Sequence, residues 1–190
     1  SKKDYKICIV GLGYVGLPLA VEFGKIRKVI GFDINKIRVE QLNSGVDVTN
    51  ECSAAQLQAA QMLGYSSSID DIQDAQIYIV TVPTPIDKVN RPNLRPLEAA
   101  SKTVGSVLKR EDIVIFESTV FPGATEEICV PILEQQSGLQ FNKDFWCGYS
   151  PERINPGDKV NTLTKIKKIT SGSNLKAADE IDELYRSIIT

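Results

Sequence analysis

The chain alternates between short, continuous apolar runs and longer stretches in which apolar residues recur every three or four positions. Continuous runs indicate strands buried on both faces, and the longer spacing indicates helices with one apolar face. We predict strands over residues 7–10, 29–32, 76–82, 112–116, 144–148 and 167–170. We predict helices after residue 16 and over 36–44, 53–63, 97–108, 125–136 and 174–189, with polar loops over 66–74 and 87–96. This alternation predicts an α/β fold with a mostly parallel sheet and helices on both faces.

The first predicted strand ends in a glycine motif with the spacing G-x-G-x-x-G, formed by Gly11, Gly13 and Gly16. Gly11 permits a tight turn, Gly13 lets backbone N–H groups approach a phosphate, and Gly16 lets the next helix pack close to the strand. The N-terminus of that helix carries unpaired N–H groups and a partial positive charge. The motif therefore predicts a binding site for the pyrophosphate of a dinucleotide in a Rossmann-like, doubly wound sheet.

Asp33 ends the second predicted strand, 22 residues after Gly11, close to the spacing of about 20 for an acid that binds the adenosine ribose. A carboxylate there would repel a 2′-phosphate and so favours NAD over NADP. Asp33 could instead cap the helix that begins near Asn35. Lys36 and Arg38 could serve a 2′-phosphate, but with Asp33 ahead of them we expect Arg38 to pack near the adenine.

Composition narrows the classes of function. The 190 residues suffice for one ordinary domain, and a net charge of −2 gives no general affinity for nucleic acid or for an anionic membrane. Without a long apolar run or a signal peptide, a cytoplasmic location is expected. The four cysteines lack C-x-x-C spacing, so no metal site is predicted. The absence of histidine removes every Ser-His and Cys-His mechanism from this chain.

Three further segments bring polar groups to predicted strand ends. They are residues 81–85 (TVPTP), 117–125 (ESTVFPGAT) and 149–158 (YSPERINPGD). Because ligands bind at the carboxyl ends of strands in such sheets, these segments are candidates for the rim of one cleft. Each also has a purely structural interpretation: a stiff proline loop, a helix cap at Thr125, and a turn with a surface ion pair.

Together these segments resemble the NAD-binding N-terminal domain of the UDP-glucose/GDP-mannose dehydrogenase family. The matching pieces occur in the family's order: GLGYVGLP (11–18), GFDIN (31–35), VPTP (82–85), ESTV (117–120) and SPERINPG (150–157). The last piece is most similar to the branch that acts on UDP-N-acetylhexosamines and makes uronates for capsule, Vi-type or O-antigen polysaccharides. UDP-glucose as the substrate is the alternative within the family.

The resemblance implies two successive NAD-dependent oxidations that convert the C6 alcohol of a UDP-sugar into a carboxylate, through a cysteine thiohemiacetal and a thioester. It implies that Glu152 positions or deprotonates water, that Arg153 and Ile154 contact substrate, and that Thr119 lies near the nicotinamide and the reacting carbon. It further assigns NAD binding to the three glycines and to Tyr14, Val15, Asp33, Arg38, Thr84 and Thr119.

The family's nucleophilic cysteine belongs to a C-terminal segment that this chain does not contain. We do not assign that role to Cys147, which lies upstream of the candidate site loop. Residues 1–190 are thus expected to be the cofactor domain, with a central helix that begins near residue 174. We expect this domain by itself to be inactive and monomeric, and the whole protein to be a homo-oligomer. A hydroxy-acid dehydrogenase and a non-enzymatic NAD sensor are the competing interpretations.

Overall fold

The computed structural model describes residues 4–117, 122–150, 167–168 and 175–188. Seven strands run over β1 Ile7–Val10, β2 Val29–Phe32, β3 Leu63–Ser66, β4 Ile77–Val80, β5 Ile113–Glu117, β6 Trp146–Ser150 and β7 Lys167–Lys168. The helices are α1 Gly16–Gly24, α2 Lys36–Asn43, α3 Ala54–Ala59, α4 Arg95–Val107, α5 Pro122–Ser137 and α6 Leu175–Arg186, with a 3₁₀ turn at Ile69–Ile72. Strands and helices alternate as predicted.

The strands form one sheet in the order β3-β2-β1-β4-β5-β6-β7. The first six are parallel, and β7 pairs antiparallel with β6. The strand order reverses between β1 and β4, which is the topological switch point where ligands bind in doubly wound sheets. The predicted mostly parallel, Rossmann-like sheet is confirmed.

Successive side chains of each central strand enter two different apolar cores. Ile7 and Ile9 of β1 pack with α1 and α6 on one face, whereas Cys8 and Val10 pack with α4 and α5 on the other. The two neighbouring strands, β4 and β5, alternate in the same way. Burial on both faces explains why these strands read as continuous apolar runs.

Strand β3 is absent from the sequence-based prediction, which placed a helix over 53–63 and a loop after it. Helix α3 ends at Ala59, and Leu63–Ser66 instead pairs with β2. The backbone N–H of Met62 donates to the carbonyl of Gly24 at 3.0 Å, which draws this segment to the sheet edge. Long-range pairing therefore overrides the good helix propensity of the Ala- and Gln-rich sequence.

Two helices begin earlier than predicted, and each has a proline in its first turn. Helix α4 begins at Arg95 with Pro96 in its first turn, and α5 begins at Pro122. Proline suits the first turn because its missing N–H would have no helical partner there. Helix α5 also continues through Pro131, which lies on its exposed side, to Ser137.

Candidate functional site

A cavity of about 410 Å³ opens at the carboxyl ends of β1, β2 and β4. The glycine loop forms one wall, the end of β2 forms a second, and α4 with the segment after β4 forms the third. Its lining includes Gly11, Gly13, Asp33, Arg38, Val82, Pro83, Pro96, Ala99 and Thr103. The walls are largely apolar and include the acidic residue Asp33, as suits a flat heteroaromatic ring joined to a polar sugar.

Each glycine of the motif meets a different steric demand. Gly11 has φ +102°, a conformation that side chains strongly disfavour. A Cβ on Gly16 would lie 1.7 Å from the carbonyl oxygen of Gly11, so α1 can approach the loop only with glycine there. A Cβ on Gly13 would meet no heavy atom within 4 Å, so the space beside Gly13 is open. That open space lies where the motif is expected to receive a diphosphate.

Asp33 and Thr81 fix the first peptide of the glycine loop from opposite sides. The backbone N–H of Leu12 donates to Asp33 Oδ2 at 2.9 Å, and Thr81 Oγ1 donates to the carbonyl of Gly11 at 2.7 Å. Asp33 Oδ1 accepts from the backbone N–H of Asn35, whose own side chain caps α2. Asp33 is therefore not the helix cap, and each of its oxygens keeps acceptor capacity for a ligand hydroxyl.

Arg38 is buried, and its guanidinium is bound to the protein rather than exposed in the cavity. Nε and Nη2 both donate to the carbonyl of Leu12, at 3.0 and 2.8 Å, and Nη1 donates to Asp47 Oδ1 at 2.6 Å. Arg38 contributes to the cavity wall, and its charge is paired with Asp47.

Two buried carboxyl groups have pKa values that are shifted in opposite directions. Burial alone would raise the pKa of Asp47, but hydrogen bonds from Thr49, Arg38 and backbone N–H groups outweigh it and hold the pKa well below its usual range. Burial raises the pKa of Glu117, at the end of β5, to about 7, although the hydrogen bond from Tyr185 acts to lower it. The Tyr185 hydroxyl donates to Glu117 Oε1 at 2.8 Å.

The structure brings only part of the predicted site together. Gly11, Gly13, Asp33 and Arg38 share the cavity, whereas Tyr14, Val15, Gly16 and Thr84 are outside its lining. Tyr14 and Val15 directly follow Gly13, and Tyr14 is 63% exposed. The predicted catalytic and substrate-binding residues lie outside the described residues; they are Thr119, Glu152, Arg153 and Ile154.

Sequence reasoning missed the residues that support the loop from a distance. Asp47 is not among the predicted site residues, although an acid between Val46 and Val48 with Thr49 two residues later is typical of a side chain that bonds its own backbone. Thr81 lies in the predicted segment 81–85, but its bond to Gly11 depends on pairing between residues 70 positions apart. No local signal identifies Arg38 as the partner of Asp47 or Gly11 as the partner of Thr81.

The residues present fit the diphosphate and ribose of a dinucleotide. None of the described residues accepts the backbone N–H of Gly13. Helix α1 also has no side-chain cap at Val15, and the N–H of Gly16 has no acceptor among the described residues, whereas Leu17 already donates to the carbonyl of Gly13 at 3.1 Å. Open space, uncapped donors and the Asp33 carboxylate therefore occur in the order that a bound NAD requires.

Within the described parts of the chain, no helix is both long and apolar enough to cross a membrane.

Nearly the whole chain matches one protein-family model. Residues 5–189 match the model of the UDP-glucose/GDP-mannose dehydrogenase family, NAD binding domain. The chain is 59% identical over 188 residues to UDP-N-acetyl-D-glucosamine 6-dehydrogenase of Pseudomonas aeruginosa, covering 99% of this chain and 44% of that protein. It is 53% identical over 184 residues to Protein CapL of Staphylococcus aureus, covering 97% of this chain and 43% of CapL.

A solved structure, UDP-D-ManNAc dehydrogenase from Pyrococcus horikoshii, superposes with a TM-score of 0.82 at 32% identity and covers 97% of this chain and 45% of that one. This chain thus spans less than half the length of the relatives it matches. The family match extends over nearly every residue and takes in the glycine loop, Asp33 and the cavity between them. The chain belongs to the UDP-glucose/GDP-mannose dehydrogenase family, and it forms that family's NAD-binding domain.

Proposed function

We propose that this chain is the cofactor-binding part of an NAD-dependent UDP-sugar 6-dehydrogenase that oxidises a UDP-N-acetylhexosamine to its uronate for surface polysaccharide. The cavity at the switch point, with Gly13 on one wall and Asp33 on another, is the observation that carries the proposal. The substrate class is supported by the relatives at 59% identity, whose name specifies UDP-N-acetyl-D-glucosamine. The link to capsule is supported by the 53% identity to CapL.

The described residues supply the groups that bind the adenosine and diphosphate parts of the dinucleotide. The N–H of Gly13 and the uncapped N-terminus of α1 bind the diphosphate, and Asp33 accepts hydrogen bonds from the adenosine ribose hydroxyls. Tyr14, Val15 and Thr84, beside the cavity, complete the binding site, and Gly16 allows α1 its close approach. Bound NAD would supply the hydride acceptor for both oxidation steps.

The substrate side is proposed from the family resemblance, on residues outside the described part of the chain. Thr119 contacts the nicotinamide and the reacting carbon, and Glu152 positions or deprotonates the water that hydrolyses the thioester. Arg153 and Ile154 contact the sugar nucleotide. The register supports this arrangement, because Glu117 pairs with Ser150, so β5 and β6 end at the same edge of the sheet.

All four cysteines of this chain are buried, which does not suit a catalytic nucleophile. Cys147 is buried in β6, and burial raises the pKa of Cys8, Cys52 and Cys129, which keeps their reactive thiolate forms rare. We therefore propose that the 190-residue chain binds NAD without turnover, and that the whole cytoplasmic protein is a homo-oligomer that supplies the cysteine from its remaining length.

The decisive assay uses the whole protein with UDP-N-acetylglucosamine, UDP-N-acetylgalactosamine, UDP-glucose and a panel of 2-hydroxy acids. We expect two NADH per molecule of UDP-N-acetylhexosamine, followed at 340 nm, and a uronate product by mass spectrometry. A preference for UDP-glucose would change the proposed substrate but leave the proposed reaction, oxidation at C6, unchanged. Turnover of hydroxy acids alone, or NAD binding with no turnover of any substrate, would contradict the proposal.

A further inference from the structure

A buried ion pair between Arg38 and Asp47 contacts the glycine loop that forms one wall of the cavity. Asp47 is not part of the cavity lining, and its side chain is fully buried. Arg38 lies between Asp47 and the loop, with one nitrogen on Asp47 and two on the carbonyl of Leu12. The Arg38 guanidinium therefore binds the Leu12 carbonyl on one side and is fixed by the Asp47 carboxylate on the other.

The Leu12 carbonyl belongs to the same peptide unit as the N–H of Gly13. A trans peptide is planar, so its carbonyl and its N–H point in opposite directions. Because Arg38 fixes the carbonyl of Leu12, it also fixes the direction of the Gly13 N–H. This N–H has no acceptor among the described residues and lies beside the open space of the loop.

Asp47 is built to hold Arg38 rigidly. Its Oδ1 accepts from Arg38 Nη1, from the Thr49 backbone N–H and from the Thr49 hydroxyl. Its Oδ2 accepts from the backbone N–H groups of Glu51 and Cys52 at 2.8 and 2.9 Å. Five hydrogen bonds to one carboxylate leave it little freedom, and a charged, rigid acceptor orients the guanidinium strongly.

We propose that Asp47 is a positioning residue for the cofactor site: acting through Arg38 and the Leu12 carbonyl, it presets the Gly13 N–H toward the diphosphate of the dinucleotide. The proposal deepens the proposed function and rests on it for the identity of the ligand. Arg38 then serves the cofactor through the backbone of the loop. The gain in affinity comes from a donor that is already oriented before the ligand arrives.

The test compares Asp47→Asn with Asp74→Asn in the 190-residue chain. Asparagine at position 47 leaves a neutral group that holds Arg38 more weakly. Asp74→Asn makes the same change of charge in an exposed ion pair with Lys6, which contacts neither Arg38 nor the glycine loop, so it is the matched control. We expect Asp47→Asn to weaken NAD binding about tenfold by calorimetry and to shift the ligand-free Gly13 amide resonance in the ¹H–¹⁵N spectrum. Asp74→Asn should keep NAD affinity within about twofold and leave that resonance in place.

If Asp47→Asn does not fold, Arg38→Lys serves as the second variant, since lysine can pair with Asp47 but cannot also donate twice to the Leu12 carbonyl. It should show the same loss and the same shift. A folded Asp47→Asn or Arg38→Lys chain with parental NAD affinity and an unmoved Gly13 resonance would overturn the proposal. Failure of the parent chain to bind NAD would contradict the proposed function, whereas the ligand-free resonance would still test the link from Asp47 to Gly13.

Discussion

Gly16 faces the carbonyl oxygen of Gly11 so closely that a Cβ on Gly16 would lie 1.7 Å from that oxygen. The same Cβ would lie 2.4 Å from the hydroxyl oxygen of Thr81, which itself donates to Gly11. The close approach brings the N-terminus of α1 against the turn that leaves β1. Through this contact the end of β1 and the start of α1 pack against the glycine loop, which forms one wall of the cavity.

Gly16→Ala is therefore expected to destabilise the fold, because the clashing atom is backbone and cannot rotate away. We expect a loss of at least about 3 kcal/mol in the free energy of unfolding, measured by chemical denaturation. Gly64→Ala in the edge strand β3 is the control, since its Cβ would contact only a side-chain atom of Ile30, at 3.7 Å. Equal stability of the two variants would show that α1 does not approach the loop as described.

Thr81→Val tests the second support of the loop. The hydroxyl of Thr81 donates to the carbonyls of Val10 and Gly11, and valine keeps the shape but leaves the Gly11 carbonyl without this donor. We expect a loss of about 1–2 kcal/mol in stability and weaker NAD binding. Thr81→Ser keeps the hydroxyl donor and should bind NAD with the parental affinity. If Thr81→Ser lost as much stability and NAD affinity as Thr81→Val, the hydrogen bond to Gly11 would not be the cause of the loss.

The features that could be predicted from the sequence are those determined by residues close together along the chain. Continuous apolar runs marked the central strands because both faces of the sheet are covered, as at Ile7 and Cys8. The glycine spacing and Asp33 marked the site because each is required by the geometry of one turn. These features require no knowledge of distant residues.

The parts that sequence missed have causes far along the chain. Strand β3 forms because β2 offers it a partner, and its half-exposed sequence resembles a loop. The role of Arg38 depends on Asp47 and Leu12 meeting in space, and a basic residue after Asp33 gives no sign of where its charge is paired. Pairing of this kind becomes visible only in the folded chain.

Asp33→Asn is expected to change the choice of cofactor. Asparagine can still accept a backbone N–H, but its amide has no charge to repel a 2′-phosphate and is a weaker acceptor for ribose hydroxyls. We expect NAD affinity to fall about tenfold and the preference for NAD over NADP to narrow, measured by calorimetry. Asp70→Asn, at an exposed carboxylate on the 3₁₀ turn, is the control. An unchanged ratio of NAD to NADP affinity in Asp33→Asn would exclude ribose binding by Asp33.

Glu117 predicts a pH dependence of stability. Its pKa is raised from 4.5 to about 7 because the carboxyl is buried, so the folded chain favours the protonated form. The resulting stabilisation is complete below pH 4.5 and is lost as the pH rises through about 7, by up to about 3 kcal/mol. Glu117→Gln cannot titrate but can still accept the Tyr185 hydroxyl. The stability difference between parent and Glu117→Gln should therefore change across this window.

Tyr185→Phe separates the hydrogen bond from burial. Phenylalanine keeps the edge-on contact with Phe23, whose ring centroid lies 5.7 Å away, and removes only the donor to Glu117. Because that hydrogen bond lowers the pKa of Glu117, its removal should move the pH window upward. A parent and a Glu117→Gln variant whose stabilities change in parallel from pH 4.5 to 7 would contradict the assignment.

The most direct measurement is calorimetric titration of the 190-residue chain and its Gly13→Ala variant with NAD. A Cβ on Gly13 meets no protein atom within 4 Å, so the variant should unfold at the parental temperature, yet its methyl group would occupy the space assigned to the diphosphate. The account predicts micromolar NAD binding by the parent, much weaker binding of NADP, and no measurable NAD binding by Gly13→Ala. Parental affinity in a folded Gly13→Ala chain, or a folded parent that does not bind NAD, would contradict it.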